Sequence, residues 1–230
     1  MAVDSFSSNL SIYDQLLSFQ LFQGMSRTEL LQMAGNTKFG FLKLPQGKNV
    51  IKAGDVCRQL LFLVSGRLSF TMQSDDHGYQ VLEQLSAPFL LQPEVLFGPQ
   101  PRYTATAVTA TASHFITLSK DEVLRLTDDF LIIRLNLLNL LSSLSQRRGH
   151  LPWRRQPAEL RERLIRFFTD HCVYPAGTKQ FTILMTRLAQ ELAVSRLDIS
   201  RSLNAMQAEG LLMLHRGRIE IPMIEHLLMR

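Results

Sequence analysis

"LAQELAVSRLDISRSLNAMQAEGLL", residues Leu188–Leu212, holds two helix-length patterns of polar and apolar residues separated by three or four residues. A helix-turn-helix needs a small residue inside its first helix, because the second helix packs across it, and apolar residues that hold the two together. Ala189 supplies the small residue; Leu188, Leu192, Val194, Ile199 and Leu203 supply the apolar ones, and Ala189, Ala193 and Ile199 fall at offsets 0, 4 and 10. The turn position, where glycine is often found, is Ala193, which costs about 1 kcal/mol if its backbone is left-handed. Ser195 is placed to cap the second helix by accepting from a free backbone N–H of its first turn. A helix starting there projects Arg196, Leu197, Ser200 and Arg201 from its N-terminal half, the part a recognition helix sets against base edges in the major groove. An arginine can bond guanine O6 and N7 together, which specifies a base.

On the C-terminal side, "LLMLHRGRIEI" reads as two short strands meeting at Arg216-Gly217, and a short helix follows Pro222. Arg216 and Arg218 on such a hairpin suit phosphates, which position a protein without specifying sequence. On the N-terminal side stand an amphipathic helix, "AELRERLIRFFTDHC", with Leu160, Leu164, Phe167 and Phe168 on one side, a loop, and a short strand, "FTILM". Helix, two-helix unit and hairpin in that order describe a winged helix-turn-helix. Gly149, Pro152 and Pro157 in "RRGHLPWRRQPAEL" cannot sit in one undistorted helix, so a hinge and domain boundary are expected there.

Before the hinge, "KDEVLRLTDDFLIIRLNLLNLLSSLSQRR" reads as one helix in which Phe130, Ile133, Leu137, Leu140 and Leu144 follow the 3-4-3-4 spacing of a coiled-coil seam. Leu131, Leu135, Leu138 and Leu141 lie off that seam, so one face can pack on its own chain and another on a second copy; a helix buried within a monomer is the alternative. From Phe39 to Leu118 short β-prone runs alternate with turn residues, which indicates an antiparallel sandwich or barrel. Its clearest part is "LLFLVSGRLSFTM", two strands joined at Ser65-Gly66. The stretch Tyr13 to Asn36 reads as a helical lid, with Ser26 and Glu29 spaced as a capping box.

At 230 residues, 46% hydrophobic and 20% charged, the chain can form two domains with proper cores. Its charge is unevenly placed: Met1–Arg147 carries 12 Lys+Arg and 12 Asp+Glu, whereas Arg148–Arg230 carries 13 and 8. The whole excess lies on the segment with the helix pair, which suits a polyanion partner for that part alone. Cys57 and Cys172 stand far apart, which argues against a disulfide framework, a structural zinc and a four-cysteine iron–sulfur cluster. The most apolar run, Phe130 to Leu144, is short for a membrane span and is interrupted by Arg134, Asn136 and Asn139. "MAVDSFSSNLSIYDQ" has no apolar core of a signal peptide, so a cytoplasmic protein is expected. No nucleophile/base pair, HExxH, phosphate loop or close acid pair marks an enzyme.

"IKAGDVCRQLLFLVSGRLSF" and "TRLAQELAVSRLDISRSLNAMQAEGLLMLHRGRIEI" resemble the CRP/FNR family of bacterial transcription regulators, and the resemblance covers nearly the whole chain. It implies an α+β chain: an N-terminal antiparallel β-roll, jelly-roll-like, with flanking helices (residues 1–119), a long dimerisation helix (120–148), the hinge (149–157) and a C-terminal winged helix-turn-helix (158–230). It further implies that Arg196, Ser200 and Arg201 contact double-stranded DNA, and that RNA polymerase is a partner. Many members have a glutamate where this chain has Leu197, so a contact to a thymine methyl stands as the alternative to a contact to cytosine. Members that bind cyclic AMP carry a glycine-glutamate pair followed by Arg-Ser/Thr-Ala. Here, in "FLLQPEVLFGPQPRYTATA", Arg102 can stand for the arginine, but Leu91-Gln92 takes the place of the pair, which argues against cyclic AMP as effector. Haem stays open, because it needs only one or two axial ligands; His77, His114 and the methionines are available and none is assigned. The expectation is a homodimeric regulator that reads a near-palindrome under an unidentified effector. The alternative is a ligand-binding module acting through a protein partner.

Overall fold

The computed structural model describes residues 14–229, so the stretch read for a signal peptide and Tyr13 lie largely or wholly outside the described residues. The chain divides into two compact units. The first holds the residues through Leu68, Ser86–Thr104 and Val108–His150; the second holds Ser69–Leu85, Ala105–Ala107 and Leu151 onward. This division does not follow the boundaries drawn along the sequence, because one hairpin of the β-rich region belongs with the C-terminal residues.

In the first unit, helix α1 (Arg27–Asn36) starts at the expected capping box, with Glu29 N donating to Ser26 Oγ (3.2 Å) and Ser26 N donating to Glu29 Oε2 (2.8 Å). An antiparallel sheet runs β1 (Gly40–Leu44), β8 (Ser113–Ser119), β3 (Gln59–Ser65), β6 (Phe89–Leu91). Strand β3 is buried at four successive residues, Leu60 to Leu63, so both of its faces are covered. Phe62 meets Phe19 edge-on at 5.0 Å and Phe22 at 5.6 Å, which makes the expected helical lid part of that cover. The joint at Gly66 is a corner between sheets rather than a hairpin. Its φ is +101°, and a Cβ there would stand 2.7 Å from the Ala112 carbonyl oxygen.

The helix expected over 120–148 is two helices, α2 (Lys120–Asp129) and α3 (Leu131–Gly149), separated by an extended Phe130 (φ −127°, ψ 106°). Asp128 and Asp129 end α2 where the helix dipole disfavours negative charge. Arg134 then donates from Nε to the Thr127 carbonyl (2.6 Å), satisfying the exposed end of α2. Phe130, Ile133 and Leu137, read as the seam between copies, are buried in their own chain, and Leu140 and Leu144 are half-buried. The leucines that stand open on α3 are Leu131, Leu135 and Leu138, at 64%, 46% and 55% exposure. The 3-4 spacing fits both rows; Phe130, which leaves the helix and turns into the core, decides which of them faces inward.

A seven-stranded sheet has the order β10 (Met213–His215), β11 (Arg218–Ile221), β9 (Lys179–Ile183), β5 (Tyr79–Ser86), β4 (Arg67–Gln73), β7 (Ala105–Thr109), β2 (Asn49–Ile51), and the second unit is built on β10, β11, β9 and β5 with most of β4 and β7. Strand β9 is flanked by β11 and β5, with Phe181 opposite both Ile219 and Val81. Helices α4 (Leu160–Asp170), α5 (Met185–Glu191), α6 (Arg196–Ala208) and α7 (Glu225–Leu228) complete the unit. The β5–β9 pairing is what brings the hairpin into it. Glu83 and Lys179 face each other in this junction almost without solvent exposure, Nζ to Oε2 2.7 Å. The Glu83 carboxylate also accepts from the amides of Val173 (2.6 Å) and Tyr174 (3.3 Å). A buried charge pair persists when its remaining hydrogen-bonding capacity is filled in this way. At the hairpin tip, Asp76 pairs with Arg187 of α5 at 2.7 Å. Further along, the Tyr79 hydroxyl lies 2.9 Å from His171 Nε2, and His171 Nδ1 lies 2.7 Å from the Phe167 carbonyl. A carbonyl only accepts, so neutral His171 carries its proton on Nδ1 and takes the Tyr79 proton donor at Nε2.

Both cysteines are free thiols; burial pushes the Cys172 thiol up to about 12, which keeps it protonated. No helix among the described residues is long and apolar enough to cross a membrane.

Candidate nucleic-acid interface

The turn between α5 and α6 is set by Ala193, whose φ of +48° is the left-handed conformation anticipated for that position. The Val194 amide returns to the Ala189 carbonyl (3.0 Å), and Arg163 donates to the Leu192 carbonyl, so the end of α5 has partners despite the strained residue. Ser195 caps α6: the Asp198 amide donates to its Oγ (3.1 Å), and that hydroxyl donates to Asp198 Oδ2 (2.6 Å). Ile199, Leu203 and Met206 turn into the core at one-turn spacing. That orientation leaves Arg196, Leu197, Arg201 and Asn204 exposed, with Ser200 half-buried among them.

Several cations of this unit have acidic partners. Arg154 and Arg166 pair with Asp170, Arg161 with Glu209, and Arg187 with Asp76 and Glu191. Among the described residues, Arg196, Arg201, Arg216 and Arg218 have no acidic partner, although all four are exposed. Exposed cations held apart from acids form a surface suited to an anion supplied from outside.

The hairpin of β10 and β11 turns at Gly217 (φ +70°) and is tied to α6 by the Leu214 amide donating to Gln207 Oε1 (2.7 Å). Between this wing and the start of α6 lies an open cleft of about 300 Å³, lined in part by Thr186, Arg196, His215, Arg216 and Arg218. Three of the residues singled out from sequence therefore meet across the cleft, while Ser200 and Arg201 stand further along α6. Thr186 and His215 escaped the sequence reading. Thr186 precedes the small residue Ala189 by three and so shares its helix, but only the fold shows that the wing comes back beside it.

Arg166 bonds the carbonyls of Leu151 (3.2 Å) and Arg155 (2.8 Å), so most of the stretch read as a hinge is held on α4. Elsewhere, Arg102 is exposed and its guanidinium donates to the Gly54 carbonyl (2.7 Å). His77 is exposed in the β4–β5 turn with φ +57°, and His114 is exposed on β8. No cluster of three or more metal-binding side chains occurs among the described residues.

Comparison with known proteins gives two family models in chain order, a cyclic nucleotide-binding domain at residues 41–130 and a Crp-like helix-turn-helix domain at residues 162–230. No curated protein matches. Among solved structures, the chain is similar in fold to the catabolite activator protein of Thermus thermophilus, with 22% identity over 91% of this chain and 96% of that one and a TM-score of 0.50. It is also similar to the sensor domain of the transcriptional regulator DNR from Pseudomonas aeruginosa, with 22% identity over 66% of this chain and 98% of that one and a TM-score of 0.52. A mixed α+β chain that carries these two domains in this order, the second ending in an exposed basic helix and wing, belongs to the CRP/FNR family of transcription regulators.

Proposed function

We propose that this regulator works as a homodimer in the cytoplasm, reading a near-palindromic site in double-stranded DNA with α6 of each copy in successive major grooves, about 34 Å apart. Arg196, Leu197, Ser200 and Arg201 face base edges, with Ser195 capping the helix that presents them, and Arg216 and Arg218 hold phosphates. The observation that carries the reading is the group of four exposed arginines without acidic partners on α6 and the wing, beside others that are paired. Two copies join along α3 through the open row Leu131, Leu135 and Leu138 rather than through the buried row. The β-roll region receives the regulatory input, Gly149–Pro157 links it to the reader, and RNA polymerase is the partner that family membership suggests.

The test is selection from random double-stranded DNA by the purified full-length protein at a stated salt concentration. An enriched palindrome is expected, with half-sites one helical turn apart. Retention of DNA without enrichment at any position would remove the sequence-specific reading.

A further inference from the structure

The cyclic nucleotide-binding model spans residues 41–130, yet the residues that would cradle a cyclic phosphate are committed elsewhere in this chain. Every backbone donor of the segment Arg102–Thr104 has a partner: Arg102 N donates to the Gln100 carbonyl (2.8 Å), Tyr103 N to the Asp55 carbonyl (3.0 Å) and Thr104 N to Gln92 Oε1 (3.1 Å). The Arg102 guanidinium, the charge that would meet the phosphate, is held by the Gly54 carbonyl. Gln92 grips Thr104 at a second point, its Nε2 donating to the Thr104 hydroxyl. Gln92 is 7% exposed and its backbone is left-handed, φ +36° and ψ +56°. Such a conformation is disfavoured for any residue with a Cβ and persists where the surroundings over-determine it. Here the surroundings include the two bonds made by the carboxamide.

We propose that Gln92 is the permanent occupant of this cassette: its carboxamide clasps Thr104 in place of an anionic ligand, and the protein takes neither cyclic AMP nor cyclic GMP. A cyclic phosphodiester entering here would have to displace the clasp before it reached the Thr104 amide, and it would meet an Arg102 guanidinium that already donates one of its N–H groups to Gly54. It would also meet a neutral carboxamide at the position where a ribose-binding carboxylate is expected. The signal that this β-roll receives therefore enters by another route than the phosphate cradle.

The experiment uses the full-length protein, wild type and Gln92→Gly; glycine takes the left-handed backbone without strain, so the variant folds and loses only the clasp. Thermal unfolding is followed with each nucleotide at about 1 mM, where a site of Kd about 10 μM would raise Tm by several degrees. Amide exchange at Thr104 is followed by NMR. The expected result is no change in wild-type Tm with either nucleotide, together with exchange at Thr104 at least about tenfold faster in Gln92→Gly, as for an amide that has lost its acceptor. A saturable rise in wild-type Tm with either nucleotide would overturn the proposal, and so would a Thr104 amide equally protected in the two proteins.

Discussion

Arg201 and Arg216 are both exposed arginines without acidic partners, but they differ in what they can touch. Arg201 stands in the second turn of α6 and Arg216 at the tip of a hairpin, and in the proposed reading the first faces base edges and the second the sugar-phosphate strand. Arg201→Ala should lower affinity for the selected site by about 1–3 kcal/mol and relax the choice of one base per half-site. Arg216→Ala should weaken all sequences alike and make the salt dependence shallower by about one unit; binding isotherms at several salt concentrations on selected and scrambled DNA separate the two. Leu197 is 58% exposed between these cations, and the one apolar group a major groove offers is the thymine C5 methyl. Replacing the facing thymine by deoxyuridine, which removes only that methyl, should therefore weaken the wild type several-fold and leave Leu197→Ala indifferent. An equal response of the two proteins would take Leu197 out of the readout. Ala193 offers a test of strain: Ala193→Gly should raise unfolding stability by about 1 kcal/mol in chemical denaturation, because glycine removes the left-handed penalty at φ +48°.

Helices α5 and α6 and the wing were visible in the sequence because each is declared by local chemistry. Ser195 marks a start, Ile199 and Leu203 mark a buried face, and Gly217 marks a turn. Helix α3 was harder, since two rows of apolar residues run along it and periodicity alone cannot say which row meets its own chain. The break at Phe130 was hidden for a related reason: a phenylalanine inside an apolar run looks helical until its backbone is seen to be extended. The assignment of the open row to the dimer has a direct check. Leu135→Glu should convert the protein to monomer in light scattering at micromolar concentration with the monomer fold intact, whereas Ile133→Glu should unfold it by burying a charge. A dimer that survives Leu135→Glu would place the contact elsewhere.

Across the whole molecule, the feature that left no trace in the sequence is the union of β5 with β9. Glu83 and Lys179 are 96 residues apart, and each reads in isolation as an ordinary surface charge. Nothing periodic connects them, because a strand pairing at that separation is specified by burial on both sides and not by neighbours along the chain. The β-roll boundary drawn at residue 119 and the reader boundary at 158 miss it for the same reason. The fragment 158–230 on its own lacks β5, so Lys179 loses its carboxylate, Val81 leaves the core around Phe181, and one edge of β9 is open. It should be largely unfolded or aggregated by circular dichroism and gel filtration. In the full chain, Lys179→Met should cost about 3–5 kcal/mol, and Glu83→Gln added to it should recover part of the loss. The carboxamide is neutral and its single oxygen can still accept from Val173, but its NH2 group cannot replace the oxygen that accepts from Tyr174, so the recovery is incomplete.

The same pairing sets a timetable for synthesis. On a ribosome adding about 5–20 residues per second, Glu83 is made some 5–20 seconds before Lys179 exists, and for that interval the hairpin waits with an unpaired edge. The C-terminal helix-turn-helix shares its sheet with β5, so translation that restarts after the β-roll should yield no folded helix-turn-helix domain able to compete for DNA. On the proposed function, only a chain that has kept β5 should then occupy the DNA site.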